Sequence, residues 1–212
     1  DTENFPMPED VYLGMDIIEH AYNYFKENGS SLSSENEDIR KKTLTDFALP
    51  KNIAGLERDL AKYRITYDNW FKESTLHNDG SVNEIIQKLK ASGYTYEQDG
   101  ALWFKSSQLG DEKDRVLIRA NGVVTYFVPD IAYHYNKLAV RGFDRAIDIW
   151  GADHHGHVAR MKGAMDAVGL DGTKLDVVLM QMVNLMRDGK PVRMSKRTGK
   201  AITLTDLLDE VP

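Results

Sequence analysis

The sequence has no cysteine, and no apolar run approaches the length that crosses a lipid bilayer. Without cysteine, disulfide cross-links and thiolate metal ligands are excluded. A membrane-spanning helix needs about 20 consecutive apolar residues, and the start of the chain carries no signal-peptide pattern either. We therefore expect a cytoplasmic protein that has no membrane partner.

Neither sign of charge is in large excess. The net charge of −6, the charged fraction of 28% and the hydrophobic fraction of 42% are ordinary for a globular protein of 212 residues. Net charge does not indicate a nucleic-acid partner, but binding depends on local patches, and five of residues 190–200 are lysine or arginine. The simplest explanation of such a run is a solvated loop.

The first part of the chain is predicted to be helical. Apolar side chains recur at helical spacing and predict a buried helix face made of Ile18, Ala21, Tyr22 and Phe25. Asn28-Gly29 would end this helix, and Pro50 predicts a break before another one. Ser81, with Glu84 three residues on, predicts a capping box at the start of a further helix.

The pattern changes after Gly93 from helical spacing to alternation. Residues 94–104 predict a β-hairpin through a turn at 98–100. Residues 116–127 predict a second hairpin through Asn121-Gly122, the favoured two-residue turn.

From Pro129 onward the predicted order is helix, strand, helix, strand. The strands are expected at 146–150 and 177–183, with a helix at 158–168 between them. The second apolar run is typical of a strand buried on both faces, and the alternation predicts a parallel α/β sheet. We expect a boundary near residue 105, between a mostly helical region with a β-hairpin (1–105) and an α/β region (106–212).

A turn rich in glycine and histidine, residues 151–157, follows the first of these strands. In open α/β sheets ligands bind at the carboxyl ends of the strands. Gly151 allows close approach of a ligand, Asp153 can accept hydrogen bonds from ribose hydroxyls, and a helix N-terminus favours anions. Two alternatives stay open: a capped turn with exposed histidines, and a metal site, although the histidines lack the common i, i+4 spacing.

A glycine-bounded loop with several cations, residues 189–200, follows the second strand. Such a loop can close over a triphosphate, where a lysine offsets the charge that develops at the phosphates. Met194-Ser195-Lys196 resembles the KMSKS loop of class I aminoacyl-tRNA synthetases, with Arg193 and Arg197 replacing its first lysine and last serine. The resemblance implies that Met194, Ser195 and Lys196 bind ATP, and that Lys196 contributes most to catalysis.

The turn upstream of this loop makes the resemblance specific to one family of these synthetases. Residues 150–158, WGADHHGHV, resemble the arginyl-tRNA synthetase form of the class I G-x-D-x-x-x-H turn and lie roughly 40 residues before the KMSKS-like loop. Segments 124–132 and 182–189 also resemble that family. The resemblance covers about residues 50–212 well and the first 50 more loosely. It implies the second half of a Rossmann-like catalytic domain, preceded by a mainly helical inserted region.

The same resemblance implies the roles of the turn residues. Gly151 would leave room for the adenosine of ATP, and Asp153 would bind its ribose. His154 and His157 would line the adenylate site, and Asp153 and His154 would also adjoin the bound arginine.

Tyr126 and Asp130 are the candidates for recognising the arginine side chain. A planar guanidinium is matched by a carboxylate through paired, charge-assisted hydrogen bonds, and by an aromatic ring through stacking. The family resemblance implies this role for both residues. The alternative is that Asp130 only supports a helix N-terminus and that Tyr126 only packs.

The implied activity is that of an arginine–tRNA ligase. It would use ATP and Mg²⁺ to form arginyl-adenylate and would then transfer arginine to its tRNA, with no DNA partner. The H-x-G-H spelled by residues 154–157 mimics the HIGH motif but lies in the second-half turn. Because the true HIGH motif and the helical anticodon-binding domain are missing, we expect the chain alone to be inactive. The alternatives are a nucleotidyltransferase that uses 154–157 as its own HxGH site, and a non-catalytic RNA-binding relative.

Overall fold

The computed structural model describes residues 14–192 and 202–210. Their contacts form two compact units, one made of the described residues up to Asn69 and from Asn184 onward, the other of Trp70–Val183. The boundary expected near residue 105 falls inside the second unit, and the division into inserted and catalytic regions stays a prediction. None of the helices in the described ranges combines the length and apolar composition that a membrane crossing needs.

Helices and strands alternate in the order that the sequence pattern predicts for the second half of the chain. The helices are α1 (Met15–Asn28), α2 (Glu37–Lys62), α3 (Glu73–Asn78), α4 (Ser81–Ala91), α5 (Phe127–Tyr135), α6 (His155–Ala167) and α7 (Leu204–Glu210). The strands are β1 (Thr95–Gln98), β2 (Ala101–Phe104), β3 (Arg115–Ile118), β4 (Ala146–Gly151), β5 (Leu175–Met180), β6 (Met186–Arg187) and β7 (Lys190–Pro191). A π-helical turn, Asn136–Val140, extends α5.

The first unit is built on the pairing of α1 with α2. Helix α1 ends as predicted at Asn28, where Gly29 has a positive φ of 61°. The predicted burial of its apolar face is wrong, since Ile18, Tyr22 and Phe25 are each more than half exposed. Helix α2 contacts other residues of α1 instead: its Phe47 meets Tyr24, and its Asn52 lies 2.6 Å from His20 Nε2.

The break predicted at Pro50 is also wrong, because α2 continues through it. Proline removes one hydrogen bond from a helix interior. Two contacts lie near Pro50: Phe47 packs edge-on against Tyr24 of α1, and the Lys51 ammonium lies 3.1 Å from the centre of the Phe47 ring.

The second unit holds the hydrophobic core. Its fully buried side chains come from α3 to α6 and from β2, β3 and β5, and include Leu76, Ile85, Leu89, Phe104, Leu117, Ile131, Met161, Met165 and Leu175. The capping box predicted at Ser81 does not form, because helix α4 already begins at that residue. Instead the Asp79 carboxylate accepts a hydrogen bond from the Ser81 backbone N–H at 2.9 Å.

The first predicted hairpin is confirmed, and the second is only partly present. β1 pairs with β2 in antiparallel orientation, with Gln98 opposite Ala101, and β2 pairs with β3. After the Asn121-Gly122 turn, the expected strand at 123–127 is reduced to a single bridge between Ile118 and Val124. Pro129 favours the first turn of a helix and cannot donate to a strand ladder, so α5 begins where the strand was predicted.

The predicted parallel sheet is confirmed by β4 and β5, which pair from Ala146–Leu175 to Gly151–Met180. Helix α6 lies between them in the chain and contacts β5. The prediction that the second strand is buried on both faces is wrong for this chain, because Val178, Leu179 and Met180 are substantially exposed. The parallel pairing of β4 with β5 confirms the α/β class, and one face of this sheet is exposed to solvent in this chain.

Gly163 is expected to be essential for the packing of α6. A Cβ there would lie 2.6 Å from the Leu109 Cβ and 2.9 Å from its carbonyl oxygen, whereas a Cβ at Gly156 would meet nothing within 4 Å. We predict that Gly163→Ala lowers the free energy of unfolding by about 1–3 kcal/mol. Gly156→Ala in the same helix is the matched control and should be neutral or stabilising. Urea unfolding compares the two, and a Gly163→Ala chain as stable as the control would contradict the prediction.

Candidate functional site

The turn at residues 151–157 lies where the sequence places it, at the carboxyl end of a parallel strand. β4 ends at Gly151, a short 3-10 turn covers Ala152–His154, and α6 begins at His155. The Asp153 and His154 side chains are mostly exposed, with the carboxylate Oδ2 3.7 Å from His154 Nε2. A solvent-accessible carboxylate at the end of a sheet strand is able to accept hydrogen bonds from ligand hydroxyls.

Gly151 makes room first for a side chain of the same turn. A Cβ at this position would overlap the Asp153 carboxylate oxygen Oδ1 and contact the His154 ring. Any larger residue would therefore force the Asp153 carboxylate out of its position. Glycine at this position therefore permits the observed orientation of Asp153.

The structure brings Tyr126, Asp130 and His157 together. His157 Nε2 lies 3.5 Å from Asp130 Oδ2, and the rings of Tyr126 and His157 are 6.4 Å apart. Tyr126 is 70% exposed and the Asp130 side chain is 42% exposed, so both can reach a ligand. An exposed Tyr126 is not what the packing alternative predicts. An accessible carboxylate beside an accessible aromatic ring suits a planar cation.

Behind His157 lies a buried ionic cluster that sequence reasoning missed. Arg160 donates from Nη1 to His157 Nδ1 at 3.1 Å and from Nε to Asp111 Oδ2 at 2.8 Å. Arg115 donates to both oxygens of the Asp111 carboxylate, from Nε at 2.7 Å and from Nη2 at 2.9 Å. Arg160 follows His157 by one helical turn, which is the only local signal of this arrangement.

The two arginines determine the charge of Asp111. Burial acts to raise the pKa of the Asp111 carboxyl group, but the hydrogen bonds from Arg115 and Arg160 outweigh it. The pKa of Asp111 therefore lies well below its ordinary range, and the carboxylate is ionised at neutral pH.

A second buried network connects Asp130 to strand β4. His134 Nδ1 donates to the backbone oxygen of Asp130 at 2.7 Å, and its Nε2 donates to Asp148 Oδ2 at 2.5 Å. Lys137 donates to the other Asp148 oxygen at 2.6 Å. Burial acts to raise the pKa of Asp148, but these two donors lower it below its ordinary value. Through its two ring nitrogens, His134 thus connects the Asp130 backbone to the Asp148 carboxylate of strand β4.

Sequence reasoning did not single out His134, Lys137 or Asp148. A lone carboxylate within the apolar strand β4 was the available signal. The predicted loop residues Met194, Ser195 and Lys196 lie outside the described residues. Within the described ranges, no group of three histidine or acidic side chains is arranged to hold a metal ion, and the adjacent His154, His155 and His157 do not form one.

Comparison with protein-family models identifies the class of protein to which the chain belongs. A family model for the catalytic domain of class I tRNA synthetases, of the arginine type, matches residues 6–212. This match includes the turn at 151–157 and the helix that carries Asp130.

Individual proteins similar to the chain carry the same family name. The chain is 53% identical over 204 residues to the arginine–tRNA ligase of Acetivibrio thermocellus and 54% identical over 205 residues to that of Caldanaerobacter subterraneus. These alignments cover 96% and 97% of the chain, which spans 36% of the length of each relative. A crystal structure from Campylobacter jejuni that bears the name arginyl-tRNA synthetase superposes with a TM-score of 0.86 at 40% identity, covering 99% of this chain and 44% of that one. The chain belongs to the class I arginyl-tRNA synthetase family.

Proposed function

We propose that the protein containing this chain is an arginine–tRNA ligase. It would join arginine to ATP, giving arginyl-adenylate and pyrophosphate, and then transfer the arginyl group to the terminal ribose of the arginine tRNA in the cytoplasm. The observation that carries the proposal is the accessible Asp130 carboxylate beside Tyr126, in a chain of the arginyl-tRNA synthetase family.

The amino acid would be recognised by its guanidinium group. Asp130 would accept paired hydrogen bonds from it, and the exposed ring of Tyr126 would stack on its plane or offer the hydroxyl group. Asp153 and His154 lie in the neighbouring turn and would contact the arginine from the adenylate side.

ATP would bind at the turn after β4. Asp153 would accept hydrogen bonds from the ribose, Gly151 would keep that carboxylate in place, and His154 and His157 would line the adenylate site. Met194, Ser195 and Lys196 would bind the phosphates, a role that rests on their resemblance to the KMSKS loop. Mg²⁺ would be held mainly by the triphosphate and water, because this ion is usually bound with few protein ligands.

Catalysis of this kind needs orientation and charge stabilisation and no nucleophile from the protein. The arginine carboxylate attacks the α-phosphorus, and the bond to the bridging oxygen of pyrophosphate breaks. Lys196 would offset the charge that develops on the phosphates.

The test is ATP–pyrophosphate exchange by the intact protein in the presence of the cognate tRNA. We expect exchange that depends on arginine and that lysine, a cation without a planar guanidinium, does not support. Exchange without any amino acid would favour the HxGH nucleotidyltransferase, and RNA binding without exchange would favour a non-catalytic relative.

For the 212-residue chain by itself we predict no exchange above background. The HIGH half of the ATP site is not in its sequence, so the α-phosphate and the adenine would lack part of their binding surface. The intact protein, assayed at the same concentration, is the positive control. Robust exchange by the purified chain would contradict this prediction.

A further inference from the structure

His157 stands between the proposed arginine-binding carboxylate and the buried ionic cluster. One ring nitrogen, Nε2, faces Asp130 Oδ2 at 3.5 Å, and the other, Nδ1, lies 3.1 Å from Arg160 Nη1. A guanidinium group can only donate hydrogen bonds. His157 Nδ1 must therefore accept, which leaves the ring neutral with its single proton on Nε2, the nitrogen that lies 3.5 Å from Asp130 Oδ2.

The neutral state of His157 matters for the charge at Asp130. A protonated His157 would form an ion pair with Asp130 and offset the negative charge that a bound guanidinium needs. A ring protonated on Nδ1 alone would turn a lone pair toward the carboxylate and repel it. Only the neutral form with the proton on Nε2 orients the Asp130 carboxylate and leaves its full charge available.

Arg160 is held rigidly enough to impose this state. Its guanidinium is largely buried, donates to the Asp111 carboxylate and lies over the Phe127 ring at 5.8 Å. The Asp111 side chain is only 1% exposed, and Arg115 fixes it from strand β3. The proton donor that faces His157 Nδ1 is thus permanently charged and anchored in the core.

We propose that Arg160, anchored by Asp111, is a positioning residue for substrate arginine, because it keeps His157 neutral and so preserves the charge and orientation of the Asp130 carboxylate. The inference that Arg160 affects arginine binding rests on the proposed function. The protonation state inferred for His157 is independent of that function.

The kinetic test compares two arginines that share the Asp111 carboxylate. In the intact protein, Arg160→Met removes the donor to His157 and one partner of Asp111, whereas Arg115→Met removes the other partner of Asp111. We expect Arg160→Met to raise the KM for arginine about ten-fold, the equivalent of about 1.4 kcal/mol, while the KM for ATP stays within about two-fold. Arg115→Met should lower the melting temperature as well but raise the KM for arginine less than Arg160→Met does, because Arg115 acts electrostatically on Tyr126 but does not contact His157. Equal kinetic effects of the two variants would overturn the positioning role.

A spectroscopic test stands independently of activity and of the variants' folding. Nitrogen-15 NMR of the histidine rings in the unaltered 212-residue chain should find His157 protonated on Nε2 only. A His157 ring that carries a proton on Nδ1 at neutral pH would overturn the proposal. If His157 is in the expected state but the intact protein shows no arginine-dependent exchange, the proposed function is wrong. If the enzyme is active and Arg160→Met leaves the KM for arginine unchanged, only the positioning role is wrong.

Discussion

Replacing Asp130 with asparagine in the intact protein should lower kcat/KM for arginine about 30- to 4000-fold. Asparagine keeps the size of the side chain but removes its charge, and its amide cannot accept both guanidinium hydrogen bonds. Losing one partner of a charge-assisted pair costs about 2–5 kcal/mol, and about 1.4 kcal/mol corresponds to one decade. The Asp130 side chain is 42% exposed before the substrate binds, which favours the lower part of this range.

Only the kinetic parameters for arginine should deteriorate. The KM for ATP should change little, because Asp153 and Lys196 are untouched, and the melting temperature should stay near that of the unaltered protein. Tyr126→Phe is the milder companion variant and should cost about 0.5–1.5 kcal/mol if only a hydroxyl contact is lost. A structural role for Asp130 predicts equal damage to both substrates and a lower melting temperature. Unchanged arginine kinetics in a stably folded Asp130→Asn protein would refute the guanidinium assignment.

Replacing Asp111 with asparagine should lower the free energy of unfolding of the chain by about 3–5 kcal/mol at neutral pH. The substitution removes the charged carboxylate that pairs with both Arg115 and Arg160, and it leaves the buried guanidinium of Arg160 and the partly exposed one of Arg115 without that partner. Their desolvation is then no longer compensated. Asp99→Asn is the matched control, because Asp99 lies in an exposed turn with a positive φ of 52° that asparagine tolerates.

The effect of Asp111→Asn should depend on pH in a defined direction. The pKa of Asp111 in the folded chain lies below its ordinary value of 3.8, so the ionised carboxylate stabilises the fold at higher pH. This contribution is complete above about pH 4 and is lost as the pH falls through the folded-state pKa. The stability difference between the unaltered chain and the variant should therefore be largest near neutral pH and shrink below about pH 4. Urea unfolding at several pH values measures it, and a difference that grows on acidification would contradict the assigned charge.

Sequence patterns correctly predicted the turns, strands and helices whose formation depends on interactions between neighbouring residues. The turn at Gln98-Asp99-Gly100, the strand before Gly151 and the helix after it all follow from residue types within a few positions. Ligand-binding turns in α/β sheets likewise depend on short-range chemistry, so residues 151–157 could be identified as a candidate site. Two predictions failed in the first unit: α2 continues through Pro50, near the contact between Phe47 and Tyr24 of α1, and the apolar face predicted for α1 is exposed.

The sequence by itself determined the α/β order, because that order is encoded by neighbouring residues, whereas the roles proposed for the two motifs and for Tyr126 and Asp130 come from the family resemblance. Only the tertiary structure decided what surrounds that pair. Asp111 and Arg160 are 49 positions apart, and no periodicity connects them. Their ion pair exists because the segment before β3 packs beside α6, where burial strengthens the attraction between the two charges. The protonation state proposed for His157, and through it the charge that Asp130 would offer to a ligand, depends on that contact.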